Sequence, residues 1–139
     1  MNSKHVLEFL YNLEWADLEK DVQLMAVKCL RDLLCVGIAA LNTDASKIIR
    51  DYAATHMISN QINCSSRILF DGRSASPAGA ALAGAMSIDS LDGHDGFRPC
   101  KGHIGVWALP SILSIAATQN IPITGHSLLT MLVIGYELG

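Results

Sequence analysis

The chain has 139 residues, half of them hydrophobic, and a formal charge of −3, which suits one ordinary folded domain around one core. That charge excludes the basic footprint needed to neutralise a phosphate backbone, so nucleic acid is not an expected partner. The longest apolar stretches, 33–41, 106–117 and 128–134, fall short of the roughly 20 residues that cross a bilayer, so no membrane partner is expected either.

In chain order, Ser3 caps a first helix through about Leu13, and Val6, Leu7, Leu10 and Tyr11 recur on its buried face. A second helix reads from about Leu18 to Leu41. Asp17, Glu19 and Asp21 suit its positive end, and Val22, Met25, Ala26, Cys29, Leu30, Leu33 and Leu34 form its stripe. Beyond Leu33 it turns apolar all round, which predicts complete burial of 35–40, with Gly37 as a point of close helix contact. Asn42-Thr43-Asp44 caps a third helix to about Met57, with Ile48, Ile49, Tyr52 and Ala53 inward. Ser66–Phe70 is too short for a helix and reads as an extended piece bounded by Asp71-Gly72. Pro77 opens an Ala/Gly-rich helix to about Ile88 whose small side chains fit a central, tightly packed position. Helical periodicity resumes from Ile104 to Gln119, with Pro110 kinking or resetting it, and Asn120-Ile121-Pro122 ends it. Thr124 or Ser127 caps a last helix carrying Leu128, Leu129, Leu132, Val133 and Tyr136. The elements add up to an all-α, multi-helix bundle-like domain.

The four cysteines, Cys29, Cys35, Cys64 and Cys100, form no Cys-x-x-Cys pair, and no charged-then-apolar leader opens the sequence. A reduced, cytoplasmic setting is expected. Cys100 stands beside Lys101, which can lower a thiol pKa, but an ordinary thiol is the expectation. Trp15 and Trp107 read as packing residues, and His5, His56 and His126 as solvent-facing.

Most of the chemistry lies in residues 91–105, Leu-Asp-Gly-His-Asp-Gly-Phe-Arg-Pro-Cys-Lys-Gly-His-Ile-Gly. Glycines 93, 96, 102 and 105 permit left-handed or tightly turned backbone and leave room for a ligand. Three readings follow from these residue types. Asp92, His94, Asp95 and His103 have donors that suit a metal, although their spacing matches no zinc string. His and Asp together suit acid–base catalysis, with Arg98 and Lys101 binding a substrate carboxylate. The third reading is a polar loop in which His94 and Asp95 cap neighbouring helices. Arg73, in Gly-Arg-Ser-Ala-Ser-Pro, either meets an anionic substrate or serves the helix entry.

The order of Gly-Arg-Ser-Ala-Ser-Pro at 72–77, the Ala/Gly-rich helix, Leu-Asp-x-x-Asp at 91–95, and His103 before an apolar helix resembles the MmgE/PrpD family. The resemblance covers essentially the whole chain. The family includes 2-methylcitrate dehydratase, cis-aconitate decarboxylase and iminodisuccinate epimerase. It implies an N-terminal helical domain, a cleft closed by a smaller α+β lid, small di- or tricarboxylate substrates, and lyase or isomerase chemistry by proton transfer next to a carboxylate, with neither metal nor cofactor. Asp92 and Asp95 match the motif acids and His103 the following histidine, which makes these three the expected catalytic residues. Lys101, Arg98, Arg73 and His94 are the expected substrate contacts. Many members have a histidine where this chain has Asp89, and Asp-Asp-Thr where it has His94-Asp95-Gly96, which leaves dehydratase, decarboxylase and epimerase open. Family enzymes are longer, so residues 1–139 are expected to form the N-terminal portion of the helical domain, without the lid and inactive alone. The alternative is a non-catalytic helical module that self-associates; a homo-oligomer is expected.

Overall fold

A computed structural model describes residues 3–61, 64–99, 101–119 and 122–139. The side chain of Ser3, the Cys100 thiol and the Asn120-Ile121 turn, all singled out above, lie outside the described residues. The elements run α1 (Ser3–Asn12), a 3-10 turn (Trp15–Asp17), α2 (Lys20–Ala39), a 3-10 turn (Ala40–Asn42), α3 (Asp44–His56), β1 (Ser66–Arg67), β2 (Ser74–Ala75), α4 (Pro77–Asp89), α5 (Ile104–Ala116) and α6 (Gly125–Leu138). The fold is all-α in class: the sheet among the described residues is a single antiparallel pair, Ser66 opposite Ala75 and Arg67 opposite Ser74. No helix among the described residues is long and apolar enough to cross a membrane.

Helix α4 is central, packing on α5, α3 and α2. Its buried positions are Gly79, Ala80, Ala83, Gly84, Ser87 and Ile88, so neighbouring backbones come close. A Cβ on Gly84 would stand 2.8 Å from Pro110 Cβ, and one on Gly79 would stand 2.7 Å from Met57 Cβ. Gly37 makes the expected close contact, where a Cβ would meet Ile88 Cγ1 at 3.1 Å and the Phe70 ring at 2.8 Å. The core then divides around α4. Leu33, Ile88, Ile104, Leu109 and Leu132 join α2, α4, α5 and α6 on one side; Ala53, Ile68, Ala75, Ala80 and Ala83 fill the other. Hydroxyls pair across the helices, buried Ser46 with Ser87 at 3.0 Å and half-buried Thr43 with Ser90 at 2.8 Å.

The 72–77 motif is explained by this architecture. Gly72 takes φ +84° to turn β1 into β2. Arg73 donates to both oxygens of Asp71, at 2.6 and 2.8 Å, and to Asp51 at 2.8 Å. Ser74-Ala75 is β2, Ser76 caps α4 by accepting from Gly79 N–H, and Pro77 is its first residue. Thr43 and Thr124 cap α3 and α6 by accepting from Ser46 and Ser127 N–H.

Several expectations about burial are corrected. The apolar end of α2 is not enclosed: Gly37 and Ala40 are buried, but Cys35, Ala39 and Ile38 (55% exposed) lie on a face that none of the described elements covers. Of the α2 stripe, Ala26 and Leu33 are buried while Val22 and Met25 are exposed. On α3 the inner positions are Ser46 and Ala53, whereas Ile48 (68% exposed) and Tyr52 point out. Helix α1 lies shallowly, with Leu7 and Tyr11 exposed. Helix α5 runs unbroken through Pro110, which is buried against α4. Trp107 is half-exposed. His5, His56 and His126 are exposed as expected, and each has a neighbour: Trp15 stacks on His126 at 5.3 Å, His56 contacts Tyr52, and His5 pairs with Glu8 at 3.5 Å.

The Gly84 contact decides between two opposed effects. Alanine in a helix interior is favoured over glycine by about 1 kcal/mol, but overpacking against a buried proline ring costs typically about 1–3 kcal/mol. Because the pyrrolidine ring cannot rotate away, Gly84→Ala is expected to be net destabilising, by roughly 1–2 kcal/mol. Equilibrium urea unfolding checks this; an equal or higher midpoint would show that α4 and α5 are not in such close contact.

Candidate active site

The site is the loop from the end of α4 to the start of α5. Asp89 closes α4, and His103 is the residue before α5. Between them Phe97 and Gly102 form an antiparallel bridge, Phe97 N–H to Gly102 O at 2.9 Å, so Arg98 and Lys101 ride on a small hairpin. The left-handed residues of the loop are Asp92 (φ +48°) and Lys101 (φ +52°) rather than the glycines. An L-residue there is held at a conformational cost that the surrounding contacts must offset. Gly105 serves close approach instead: a Cβ on it would stand 2.7 Å from Asp95 Oδ1 and against the Tyr136 hydroxyl.

The Asp95 backbone carbonyl organises the histidines. It accepts from Nδ1–H of His94 and from Nδ1–H of His103, each at 3.1 Å. A carbonyl oxygen only accepts, so each Nδ1 carries a hydrogen. The rings meet edge to face with centroids 4.6 Å apart. The His94 ring is fully enclosed, and its Nε2 contacts Asp89 Oδ1 at 3.1 Å. Among the described residues, no partner is recorded for His103 Nε2. Asp92 completes the group: one donor atom from each of Asp92, His94 and His103 lies within 4.8 Å of the others.

The expected residues thus separate. Asp92, His94 and His103 come together, and His103 shares a cavity of about 470 Å³ with Arg98, Lys101, Gly96, Phe97 and Gly102. Arg98 and Lys101 are exposed and form no ion pair among the described residues. Asp95 contributes its carbonyl to the histidines while its carboxylate Oδ1 is buried without a hydrogen-bond partner. Neither His94 nor Asp95 is seen to cap a helix by its side chain, and His103 makes no side-chain cap. Arg73 stands apart, shares no contact with this loop, and has its charge committed to Asp71 and Asp51. Its guanidinium holds the Asp71 carboxyl below the usual carboxylate range. A cavity of about 810 Å³ beside β1 also lacks the site chemistry: its Arg67 and Asp71 are already hydrogen-bonded within the fold.

Two groups escaped the sequence reading. The Tyr136 hydroxyl is buried without a hydrogen-bond partner, and burial, then the neighbouring Asp95 and Cys29, push it well above the ordinary phenol value. The Cys29 thiol is also raised, chiefly by burial. Both read as core positions on amphipathic helices, and nothing in the local pattern sets them beside Asp95.

A fold of packed helices with a histidine–aspartate loop at one end agrees with the family evidence. The family model of the MmgE/PrpD N-terminal domain matches residues 4–139, and the chain belongs to the MmgE/PrpD family. No curated protein and no solved structure gives a significant match.

The Asp92, His94 and His103 cluster invites a test for metal. Both Nδ1 atoms are committed to the Asp95 carbonyl and His94 Nε2 to Asp89, which leaves His103 Nε2 and Asp92 as open donors. Two donors fall short of a tight site. Elemental analysis of protein purified without added metal is therefore expected to find far less than one equivalent of zinc, manganese or iron; one retained equivalent would overturn this reading.

Proposed function

We propose that this chain contributes the proton-transferring part of a lyase or isomerase site for small di- or tricarboxylates, in the manner of 2-methylcitrate dehydratase. The observation that carries the reading is the pair of imidazoles on one carbonyl. A ring with Nδ1–H donated to a fixed oxygen presents Nε2 as a base. That nitrogen of His103 has no partner among the described residues and belongs to a residue lining the same cavity as Arg98 and Lys101. A proton next to a carboxylate is weakly acidic, so its removal needs both a base and cations to hold the negative charge that develops. His103 takes the proton, Lys101 and Arg98 bind the carboxylates, and Asp92 stands beside the two rings. His94 fixes its partner ring edge to face. Arg73 acts at the α4 entry and is outside this assignment. The chemistry needs no metal or cofactor.

The exposed side chains Leu24, Val27 and Ile38 fall on one stripe of α2, which favours self-association as a second property of the chain. Light scattering measures it, and a monodisperse monomer would count against it.

The catalytic reading is tested by proton exchange in deuterium oxide. With residues 1–139 joined to a matching C-terminal portion, and methylcitrate, aconitate or iminodisuccinate as substrate, His103→Ala is expected to lower turnover by about two decades or more, the scale of a lost general base. Lys101→Ala is expected to raise the Michaelis constant, because a carboxylate contact acts in ground and transition states alike. Wild-type turnover in the His103 variant would remove that residue from the mechanism.

A further inference from the structure

Asp95 faces two ways. Its carbonyl holds both imidazoles, while its Oδ1 is buried with no donor and the Tyr136 hydroxyl, from α6, is buried with no acceptor. An isolated buried polar group of either kind is costly, and each of these supplies what the other lacks. They meet at one place. Gly105, in the first turn of α5, leaves the space in which both oxygens lie: a Cβ there would stand 2.7 Å from Asp95 Oδ1 and would collide with the Tyr136 oxygen.

We propose that Tyr136 is a positioning residue for the histidine pair, its hydroxyl donating to the Asp95 carboxylate and so fixing the Asp95 carbonyl on which both imidazoles hang. Burial and the Asp95 charge keep this hydroxyl protonated, the state in which it donates. Tyr136 packs against the core formed by Leu33, Ile104 and Leu132, so the seat of α6 is transmitted through one side chain to the loop after α4. Cys29 of α2, the other polar group beside the hydroxyl, is a weak donor and acceptor that does not substitute for a phenol.

The test reads the rings directly and needs no turnover. Long-range nitrogen–proton correlation spectra, recorded with the imidazoles uncharged, are expected to show His103 in a single Nδ1–H tautomer in the wild-type chain. Tyr136→Phe removes one oxygen, and the Nε2–H form preferred by a free imidazole should then become the majority. Asp95→Asn keeps an oxygen to accept from Tyr136 and should retain the Nδ1–H form. A wild-type tautomer in Tyr136→Phe overturns the proposal. Should that variant not fold, the wild-type chain decides: a Tyr136 hydroxyl proton that exchanges slowly with solvent supports the bond, and one exchanging as fast as an exposed tyrosine refutes it. The proposal rests on His103 as the proton-transferring group only for its functional meaning. A failed tautomer test leaves the deuterium-exchange result standing, and the reverse holds equally.

Discussion

The absence of side-chain bulk on α4 is the constraint on which the rest of this structure depends. Gly79, Ala80, Ala83 and Gly84 let α3 and α5 approach until glycine α-carbons face Met57 and Pro110. Little apolar area comes from such residues individually, so the contact is won by dispersion over a close, continuous surface rather than by large side chains. Close packing also limits sliding. The end of α4 and the start of α5 are thereby held at a defined separation, and the loop that joins them is fastened at both sides.

That loop is fixed by polar contacts rather than by a core. Asp89 at its start touches His94, His103 at its end returns to the Asp95 carbonyl, and the Phe97–Gly102 bridge ties its middle. Asp92 and Lys101 take left-handed backbone within it, and such residues persist where the surroundings over-determine them. The consequence is an ordered separation of roles inside one short segment: two imidazoles gathered on one carbonyl, His94 enclosed and His103 exposed, and two cations carried on a hairpin.

How far the sequence revealed this depends on the kind of signal. Helix starts were legible because their signals are local: Thr43 and Thr124 each accept the backbone N–H three residues on, and Pro77 opens α4. The central place of α4 followed from its composition, and the 91–105 segment stood out by its residue types. Burial of particular faces was not legible. The run from Cys35 to Ala40 is uniformly apolar, and only the arrangement of other helices decides that Gly37 faces Ile88 while Ile38 faces out. Arg73 illustrates the same limit at the site. Its motif reads equally as anion contact or helix entry until Asp51, far away in sequence, is seen to bind it. Tyr136 and Cys29 were hidden for the opposite reason, since each fits an amphipathic helix so well that no residual pattern marks them.

The contact between Asp89 and His94 joins two of the positions at which the chain departs from the family pattern. Many MmgE/PrpD proteins, by the resemblance drawn above, carry histidine at the position of Asp89 and aspartate at that of His94. Here the two types are exchanged, and the exchanged residues touch at 3.1 Å. A histidine–carboxylate contact is symmetric in charge and hydrogen bonding under such a swap, because an imidazole donates and a carboxylate accepts whichever helix or loop supplies it. Read singly, each change looks like the loss of a family residue. In this chain they meet as a pair across the α4 end, with the ring on the loop, where its Nδ1 reaches the Asp95 carbonyl beside His103. The two-histidine arrangement therefore depends on His94 lying on the loop, where Asp89 at the α4 end and the Asp95 carbonyl hold its two ring nitrogens.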